Sequence, residues 1–192
     1  MWEESRSRAS LAMDAYADGD EQAFGIVYDA LASRLYAFIG RFVASEAVSE
    51  DVLQQVFLNM HRARASFTKG ASVEPWAYAI ARRAVIDWIR QSRGRERVKA
   101  DAEREIGASV HSSTPEGKAW TLQFERICRD QLALVPEKLR DAFVLVRVEG
   151  LTVEEAAKVL GTTGMAVKLR AHRAALLLQQ QLGQFEVRSG RP

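Results

Sequence analysis

The stretch GLTVEEAAKVLGTTGMAVKLRAHRAALLL, from Gly150 to Leu178, decides the fold because it predicts two helices joined by a tight turn. Thr152 and Glu155 have the spacing of a capping box: the threonine hydroxyl accepts from a backbone N–H while the glutamate reaches back. Gly161 can adopt the left-handed conformation that ends a helix. The next helix can be capped by either of two threonines, Thr162 or Thr163.

The spacing of small and apolar residues in this stretch is typical of a helix-turn-helix. Ala157 is small, Gly161 follows four residues later, and Val167 lies six beyond that. The second helix carries no acid and four polar basic or imidazole side chains: Lys168, Arg170, His172 and Arg173. A basic second helix can enter a DNA major groove. The alternative is an ordinary helical hairpin with a solvated basic face.

The composition limits the classes of protein to which the chain can belong. At 192 residues and a net charge of +2, one or two small domains are expected, and the total charge indicates no particular partner. Cys128 is the only cysteine, so neither an intrachain disulfide nor a cysteine-based zinc cluster can form, which fits a reducing cytoplasm. We find no signal-peptide pattern and no apolar run of membrane-spanning length, so we expect a soluble, cytoplasmic protein.

Helical periodicity dominates the rest of the chain, and few prolines interrupt it, so an all-α fold is predicted. One helix should begin near Asp20, with its core stripe at Phe24, Val27, Tyr28, Leu31, Leu35, Phe38 and Phe42. A second helix is predicted from Glu46 to Ala65. A third should start at Ser72, with Pro75 just inside it.

The second of these helices has a polar face that differs from its core stripe. The face contains Asp51, Gln54, Gln55, Leu58 and Arg62, at spacings of three and four. A leucine among an acid, amides and an arginine suggests a partner-contact patch. A single exposed leucine is also normal, so both readings stay open at this point.

The third helix should present a basic ridge. Arg83, Arg90 and Arg97 recur every seven residues, with Arg82 and Arg93 beside them. Such a ridge could contact phosphates or form a solvated face.

Periodicity fails after this helix, which predicts two small helical domains joined by a flexible linker. We assign residues 1–97 to the first domain, 98–118 to the linker, 119–184 to the helix-turn-helix domain, and 185–192 to a tail. Within the linker, the run GASVHSSTPEGK is rich in Gly, Ser, Thr and Pro.

The signatures of catalysis are missing from the sequence. The glycines at Gly161 and Gly164 lack the rest of a phosphate-binding loop, and the three histidines lack metal-ligand spacing. We therefore predict no catalytic residues, no metal, no cofactor and no enzymatic activity.

Four motifs in order resemble the bacterial sigma factors of RNA polymerase, specifically the two-domain extracytoplasmic-function class. The resemblance covers about Asp20 to Leu182 apart from the linker. It rests on AFGIVYDALASRLYAFIGRF (23–42), SEDVLQQVFLNMHRARASF (49–67), PWAYAIARRAVIDWIRQSR (75–93) and LVPEKLRDAFVLVRVEGLTVEEAAKVLG (134–161). The two domains would then correspond to sigma regions 2 and 4.

The resemblance implies specific partners and roles. The face of Asp51, Gln54, Gln55, Leu58 and Arg62 would dock on the coiled coil of the polymerase beta-prime subunit. The minus-ten promoter element would be contacted by Arg82, Arg83, Asp87, Arg90 and Arg93, and the loop 68–74 would hold an extruded base.

The carboxyl-terminal domain would read the minus-thirty-five duplex and touch the beta flap of the polymerase. Its DNA-contacting residues would be Thr163, Lys168, Leu169, Arg170, His172 and Arg173. Three positions depart from the common family pattern: Arg83, Leu169 and Ala175. A leucine cannot hydrogen-bond a base edge, although it can contact a thymine methyl. An anti-sigma factor is a further partner that the resemblance allows.

Two alternatives compete with this interpretation. A stand-alone helix-turn-helix regulator would explain residues 150–178 and leave the Asp51–Leu58 face unexplained. A sigma mimic that occupies an anti-sigma protein is a weaker alternative, because such mimics usually carry an attached receiver domain and no α/β segment is found here.

Overall fold

The computed structural model describes residues 2–43, 45–102 and 128–188, with side chains described in 8–43, 45–92 and 128–181. Helices and turns account for all regular structure in these ranges, as predicted for an all-α chain. The segment 103–118, expected to be linker, and the start of the second block, including Trp120, Phe124 and Ile127, lie outside the described residues.

The amino-terminal half contains four long helices. They are α1 (Trp2–Ala17), α2 (Ala23–Gly40), α3 (Glu46–Ala63) and α4 (Val73–Ala102), with a 3-10 turn at Arg64–Ser66. The sequence analysis did not predict α1, which adds Met13 and Tyr16 to the buried core. The apolar stripes of α2, α3 and α4 meet in this core, with Leu35, Val56 and Ala77 almost fully buried.

The observed helix boundaries differ modestly from the predicted ones. The second helix, α2, begins at Ala23 rather than near Asp20. The third, α3, begins at Glu46 as predicted, because the Ser45 side chain caps it by accepting from the Val48 N–H. The helix α4 continues to Ala102, within the segment assigned to the linker.

Two tyrosines show where the predicted core stripes were inexact. Tyr28 lies on the predicted stripe of α2 but is 44% exposed, and its ring packs against Phe57 at a centroid distance of 4.6 Å. Tyr78 is fully buried on α4, where its ring meets Phe38 edge to face. An amphipathic tyrosine fits either setting, so periodicity alone does not distinguish them.

The carboxyl-terminal half is also helical. It contains α5 (128–133), α6 (Glu137–Phe143), a π-helical turn (Val144–Val148), α7 (Val153–Leu160) and α8 (Gly164–Arg188). The predicted break at 134–136 is confirmed as a turn before α6. The π turn closes with the Glu149 N–H donating to the Val144 carbonyl at 2.9 Å.

The helix-turn-helix prediction is confirmed in its local geometry. Both hydrogen bonds of the capping box between Thr152 and Glu155 are present, and Gly161 ends α7 with φ of 58°. The Thr163 hydroxyl accepts from the Ala166 N–H at 3.2 Å and so caps α8. Val167 is fully buried, as predicted.

The carboxyl-terminal helices pack directly on the amino-terminal ones. Contacts between α4 and α7 join the two halves. The Arg129 Nε donates to the Gly40 carbonyl at 2.6 Å, and the Arg140 guanidinium lies over the Phe42 ring at 4.8 Å. The two halves assigned as domains are therefore in direct contact through side chains of both.

Candidate nucleic-acid and protein interfaces

One side of α3 presents the polar face predicted from the sequence. All five members of that face are exposed: Asp51, Gln54, Gln55, Leu58 and Arg62. Leu58 exposes 50% of its surface, while Val52 and Val56 on the opposite side are buried. The face is therefore available to a partner, with an apolar side chain among polar ones.

The outer side of α4 presents part of the predicted basic ridge. Arg83, Asp87 and Arg90 are exposed. Arg93 lies within the same helix, but its side chain falls outside the described residues. Two arginines are therefore open to solvent on this side, with the acid Asp87 between them in the sequence.

Arg82 is not a free member of that ridge. Its side chain is 25% exposed, and its Nε donates to the Asp141 Oδ2 at 2.6 Å. A second carboxylate, that of Glu137, lies 3.7 Å from its Nη2. Both acids belong to α6, so the carboxyl-terminal half holds this arginine.

The loop before α4 is anchored by α1. The Gly70 N–H donates to both oxygens of the Asp14 carboxylate at 3.1 and 3.2 Å, and the Val73 N–H donates to the Ser10 hydroxyl at 3.1 Å. Gly70 has φ of 76°, a conformation that glycine adopts without strain. Because α1 was not predicted, sequence reasoning missed Ser10 and Asp14 as supports for this loop.

The exposed side of α8 carries the predicted groove-reading residues. Five of them are exposed: Thr163, Lys168, Leu169, His172 and Arg173. Arg170 is half-buried and, together with Arg82 and Lys138, lines a cleft of about 200 Å³ between the two halves. Val167 and Ala171 anchor the opposite side of the helix in the core.

A buried network around Glu149 was not predicted. Its carboxylate accepts from the Tyr78 hydroxyl at 2.5 Å and from the Arg41 Nη1 at 2.7 Å. Its backbone carbonyl accepts from the Arg34 Nη2 at 3.1 Å. Burial, followed by the adjacent negative charge of Glu149, raises the pKa of Tyr78 well above its ordinary value. Tyr78 therefore stays protonated and donates at neutral pH.

Asp141 is the second buried acid of this interface. Burial raises the pKa of Asp141 above its ordinary value, and the Arg82 guanidinium only partly offsets that rise. Asp141 and Glu149 lie four residues on either side of Leu145, which is fully buried. The sequence does contain a signal for this interface, since two acids lie at helical spacing from a leucine of the core. A charge on an apolar stripe needs a partner.

In the described ranges, no group of three His, Cys, Asp or Glu side chains is placed to hold a metal ion. No helix in those ranges is long and apolar enough to cross a membrane.

The Tyr16 hydroxyl and the His61 imidazole form a hydrogen bond, and burial raises the pKa of Tyr16.

Comparison with known proteins identifies the two halves. The family model for sigma-70 region 2 matches residues 27–95, and the model for sigma-70 region 4 matches residues 126–178. The RNA polymerase sigma factor CarQ of Myxococcus xanthus is 34% identical over 179 residues, which span 93% of this chain and all of CarQ.

Further relatives agree in class and in fold. The ECF RNA polymerase sigma factor SigW of Bacillus subtilis is 25% identical over 170 residues, covering 85% of this chain and 91% of SigW. The sigma factor RpoE from Bartonella quintana, solved with the anti-sigma factor NepR, has a similar fold. That match has a TM-score of 0.66 at 23% identity and covers 83% of this chain and 96% of that one. The chain belongs to the sigma-70 family, in its extracytoplasmic-function class, and is an alternative sigma factor that directs promoter recognition and transcription initiation.

Proposed function

We propose that this sigma factor divides its work among three surfaces, of which the exposed face of α3 binds the coiled coil of the beta-prime subunit. The observation that carries this assignment is the position of Leu58, which is half exposed among polar side chains on the side of α3 opposite the core. Burying its exposed half on a partner would contribute about 1 kcal/mol. Asp51 and Arg62 would set the orientation through rim charges.

The experiment on this surface truncates two exposed leucines, one of them together with a neighbouring glutamine. Gln54→Ala with Leu58→Ala removes the leucine surface that would be buried on the partner, together with the neighbouring amide. Core-polymerase binding should weaken by roughly tenfold, which corresponds to about 1.4 kcal/mol. Leu11→Ala removes a leucine that is 65% exposed on α1 and should leave core affinity unchanged. Far-ultraviolet circular dichroism checks that the helices are intact in both variants. Equal core affinity in the two variants would place the polymerase contact elsewhere.

The second surface is formed by α4 and the loop 68–74. The ridge of Arg82, Arg83, Arg90 and Arg93, with Asp87 beside it, would follow promoter phosphates near the melted minus-ten segment. The loop would hold an extruded base, since flipping a base costs a few kcal/mol of stacking and a pocket can offset that cost. The exposure of Arg83 and Arg90 and the anchoring of the loop by Asp14 support this role.

The third surface is the outer side of α8. We assign it to the major groove of the minus-thirty-five element, with Lys168, Arg170 and Arg173 at phosphates or base edges. Leu169 is 47% exposed on this side and would contact a thymine methyl rather than a hydrogen-bonding group. The remainder of the carboxyl-terminal half would touch the beta flap.

On this proposal the chain breaks no bond in a substrate, and its activity is recruitment of polymerase and promoter melting. An anti-sigma factor is a further proposed partner, supported by the complex in which the relative RpoE was solved. Such a partner would compete with core polymerase for this chain, and a competition assay with purified proteins measures that directly.

Reconstituted transcription is the decisive experiment. The chain and core enzyme together should initiate from a promoter with minus-ten and minus-thirty-five elements, and neither should do so alone. A stand-alone regulator would instead bind duplex operators tightly and never support core-dependent initiation. That second outcome would refute the proposal.

A further inference from the structure

The helix α1 presents a row of polar side chains to the loop that leads into α4. Ser10, Asp14 and Asp18 follow one another at intervals of four residues, so they lie on one side of the helix. Met13 and Tyr16 of the same helix are buried in the core. This packing holds α1, and with it the polar row, in place against the other helices of the amino-terminal half.

The contact made by Asp14 fixes the backbone of the loop. The Gly70 N–H donates to both carboxylate oxygens, at 3.1 and 3.2 Å. A hydrogen bond to a charged acceptor is stronger than one between neutral groups. It acts on a residue with φ of 76°, the left-handed conformation that glycine adopts without strain. The carboxylate therefore stabilises one particular path of the loop.

The contact made by Ser10 fixes the start of α4. The Val73 N–H is the first of that helix, and it donates to the Ser10 hydroxyl at 3.1 Å. The first amides of a helix have no partner within it. A side chain of α1 thus takes the place that an N-cap residue of the same helix usually fills. Because Val73 is fully buried, loss of this hydroxyl would leave a polar group with restricted access to water.

A third contact is weaker. Asp18 forms an ion pair with Lys69, but the two side chains are 59% and 61% exposed. Exposed ion pairs contribute little to stability, because water screens both charges. The support that α1 gives to the loop therefore rests on Asp14 and Ser10.

The helix α1 also contacts the beginning of the connection between α3 and α4. The Tyr16 hydroxyl forms a hydrogen bond with the His61 imidazole at the end of α3. The Arg64 guanidinium, in the 3-10 turn that follows, lies 5.8 Å from the centroid of the Tyr16 ring. Both ends of the connection are therefore held by one helix, which precedes residue 27, where the match to sigma-70 region 2 begins.

We propose that Asp14 and Ser10 are positioning residues for promoter recognition, which hold the loop 68–74 in the conformation that selects the extruded minus-ten base. The inference rests on the proposed role of that loop in holding the base. A loop fixed in one conformation discriminates between bases, whereas a loop that can rearrange accommodates several of them. The helix α1 thereby contributes to base selection through the loop and without touching DNA itself.

The first measurement tests the support of the loop in the full-length protein. Asp14→Ala removes both acceptors of the Gly70 N–H. Hydrogen exchange at that amide, followed by NMR, should accelerate on the order of tenfold, which corresponds to about 1.4 kcal/mol and is close to the usual contribution of a hydrogen bond to a charged group. Asp14→Asn keeps one carbonyl acceptor and should recover part of the protection. Asp29→Ala removes an exposed aspartate from α2 and should leave the exchange of Gly70 unchanged.

The second measurement tests base selection by the holoenzyme reconstituted from this chain and core polymerase. The parent holoenzyme first selects a single strand of about 15 nucleotides from a randomised pool, a length near the upper end of single-strand site sizes. Each base is then placed at each position of that strand, and the affinities are compared. At the extruded position the parent should prefer one base by roughly tenfold, as for one good set of base contacts, and Asp14→Ala should reduce that ratio to about twofold.

The ratio distinguishes positioning from a general loss of stability. Partial unfolding lowers the affinity for all four bases by the same factor, so it leaves the ratio unchanged. Asp14→Asn should give an intermediate ratio, and Asp29→Ala the parental one. Ser10→Ala is a second, milder variant in case Asp14→Ala folds poorly, and it should lower the ratio in the same direction by a smaller factor. Preferences at the other positions of the strand should not change.

The possible outcomes separate the steps of the argument. Unchanged exchange at Gly70 in Asp14→Ala would overturn the support of the loop by α1. Faster exchange with an unchanged ratio, or a ratio that falls equally at every position, would overturn the role in base selection. A parent holoenzyme without any base preference would instead refute the proposed role of the loop, and the inference would fall with it although the exchange result would stand.

Discussion

Both α4 and α8 carry arginines that we assign to DNA, but the two helices differ in how they pack on the rest of the chain. The outer side of α8 is open to solvent, with Lys168 and Arg173 exposed and Val167 buried behind them. On α4, Arg83 and Arg90 are open, whereas Arg82 is paired with Asp141. The side of α8 that we assign to DNA is open to solvent, whereas the corresponding side of α4 is partly occupied by the carboxyl-terminal half.

The difference follows from where each helix lies in the fold. The side of α8 that we assign to the groove is opposite its core side, so local periodicity separates the two. One side of α4 also serves as an interface for the carboxyl-terminal half, so a cation there has an internal carboxylate to compete with DNA. On α4, the exposure of the arginines depends on packing between distant parts of the chain. On α8, it follows from the local sequence pattern.

The largest effect on stability should come from placing a charge on the buried side of α8 and not on its exposed side. Val167→Asp places an unpaired carboxylate at a fully buried position and should cost at least about 4 kcal/mol. Leu169→Asp, two residues along on the exposed side, should change stability by less than about 0.5 kcal/mol. Urea denaturation followed by circular dichroism measures both. Similar losses of unfolding free energy in the two variants would mean that the Leu169 side of α8 is also buried.

The next prediction compares an exposed arginine with an engaged one in the free protein. Arg173→Ala should weaken duplex binding and reduce the slope of log affinity against log salt by about 0.9, because one phosphate contact no longer releases a counterion. Arg82→Ala should change that slope little in the free chain, since Asp141 already holds the arginine. Fluorescence anisotropy over a salt series measures both slopes, with Arg8→Ala on α1 as the control for loss of charge. A large slope change for Arg82→Ala would show that the Arg82–Asp141 pair is not maintained in solution.

The sequence predicted the local features of this protein well. The capping box at Thr152 and Glu155, the left-handed Gly161 and the exposed face around Leu58 are all set by residues within a few positions of one another. Such signals depend on spacing and backbone conformation, which a single sequence displays directly. The resemblance to sigma factors rested on these same stretches.

The features that were missed depend on contacts across the chain. Tyr78 and Glu149 are 71 residues apart, and the pairing of Arg82 with Asp141 spans 59. Periodicity places each residue on a helix side, but it does not say which helix covers that side. The helix α1 was missed for another reason, since its exposed Leu11 and its charged residues blur the apolar stripe.

A smaller effect is expected from removing one hydroxyl at the interface. Tyr78→Phe keeps the buried ring but deletes the donor to Glu149, and should cost about 1.5 kcal/mol because that hydrogen bond goes to a charged group. Tyr28→Phe deletes a hydroxyl from a ring that is 44% exposed and should cost less than about 0.5 kcal/mol. Chemical denaturation compares the two. Equal costs would indicate that water, rather than Glu149, is the effective partner of Tyr78.

The smallest predicted effect is the pH dependence due to Asp141, and its sign follows from the direction of the pKa shift. Burial raises the pKa of Asp141 above its ordinary value near 3.8, against the opposing effects of Arg82 and Arg140. Between the unfolded and folded pKa values the folded chain therefore binds more protons than the unfolded chain. Stability contributed by this group is present below the unfolded pKa and is lost as pH rises through the folded pKa.

Asp141→Asn isolates that contribution because an amide does not titrate. From about pH 4 upward, the unfolding free energy of the parent should fall relative to that of the variant, until Asp141 is fully ionised in the folded chain. Urea titrations at a series of pH values measure the difference curve. A flat curve would mean that Arg82 fully offsets the burial of Asp141, and a rising one that the ion pair dominates. In either case ionised Asp141 would not oppose the folded arrangement in which α6 lies against α4.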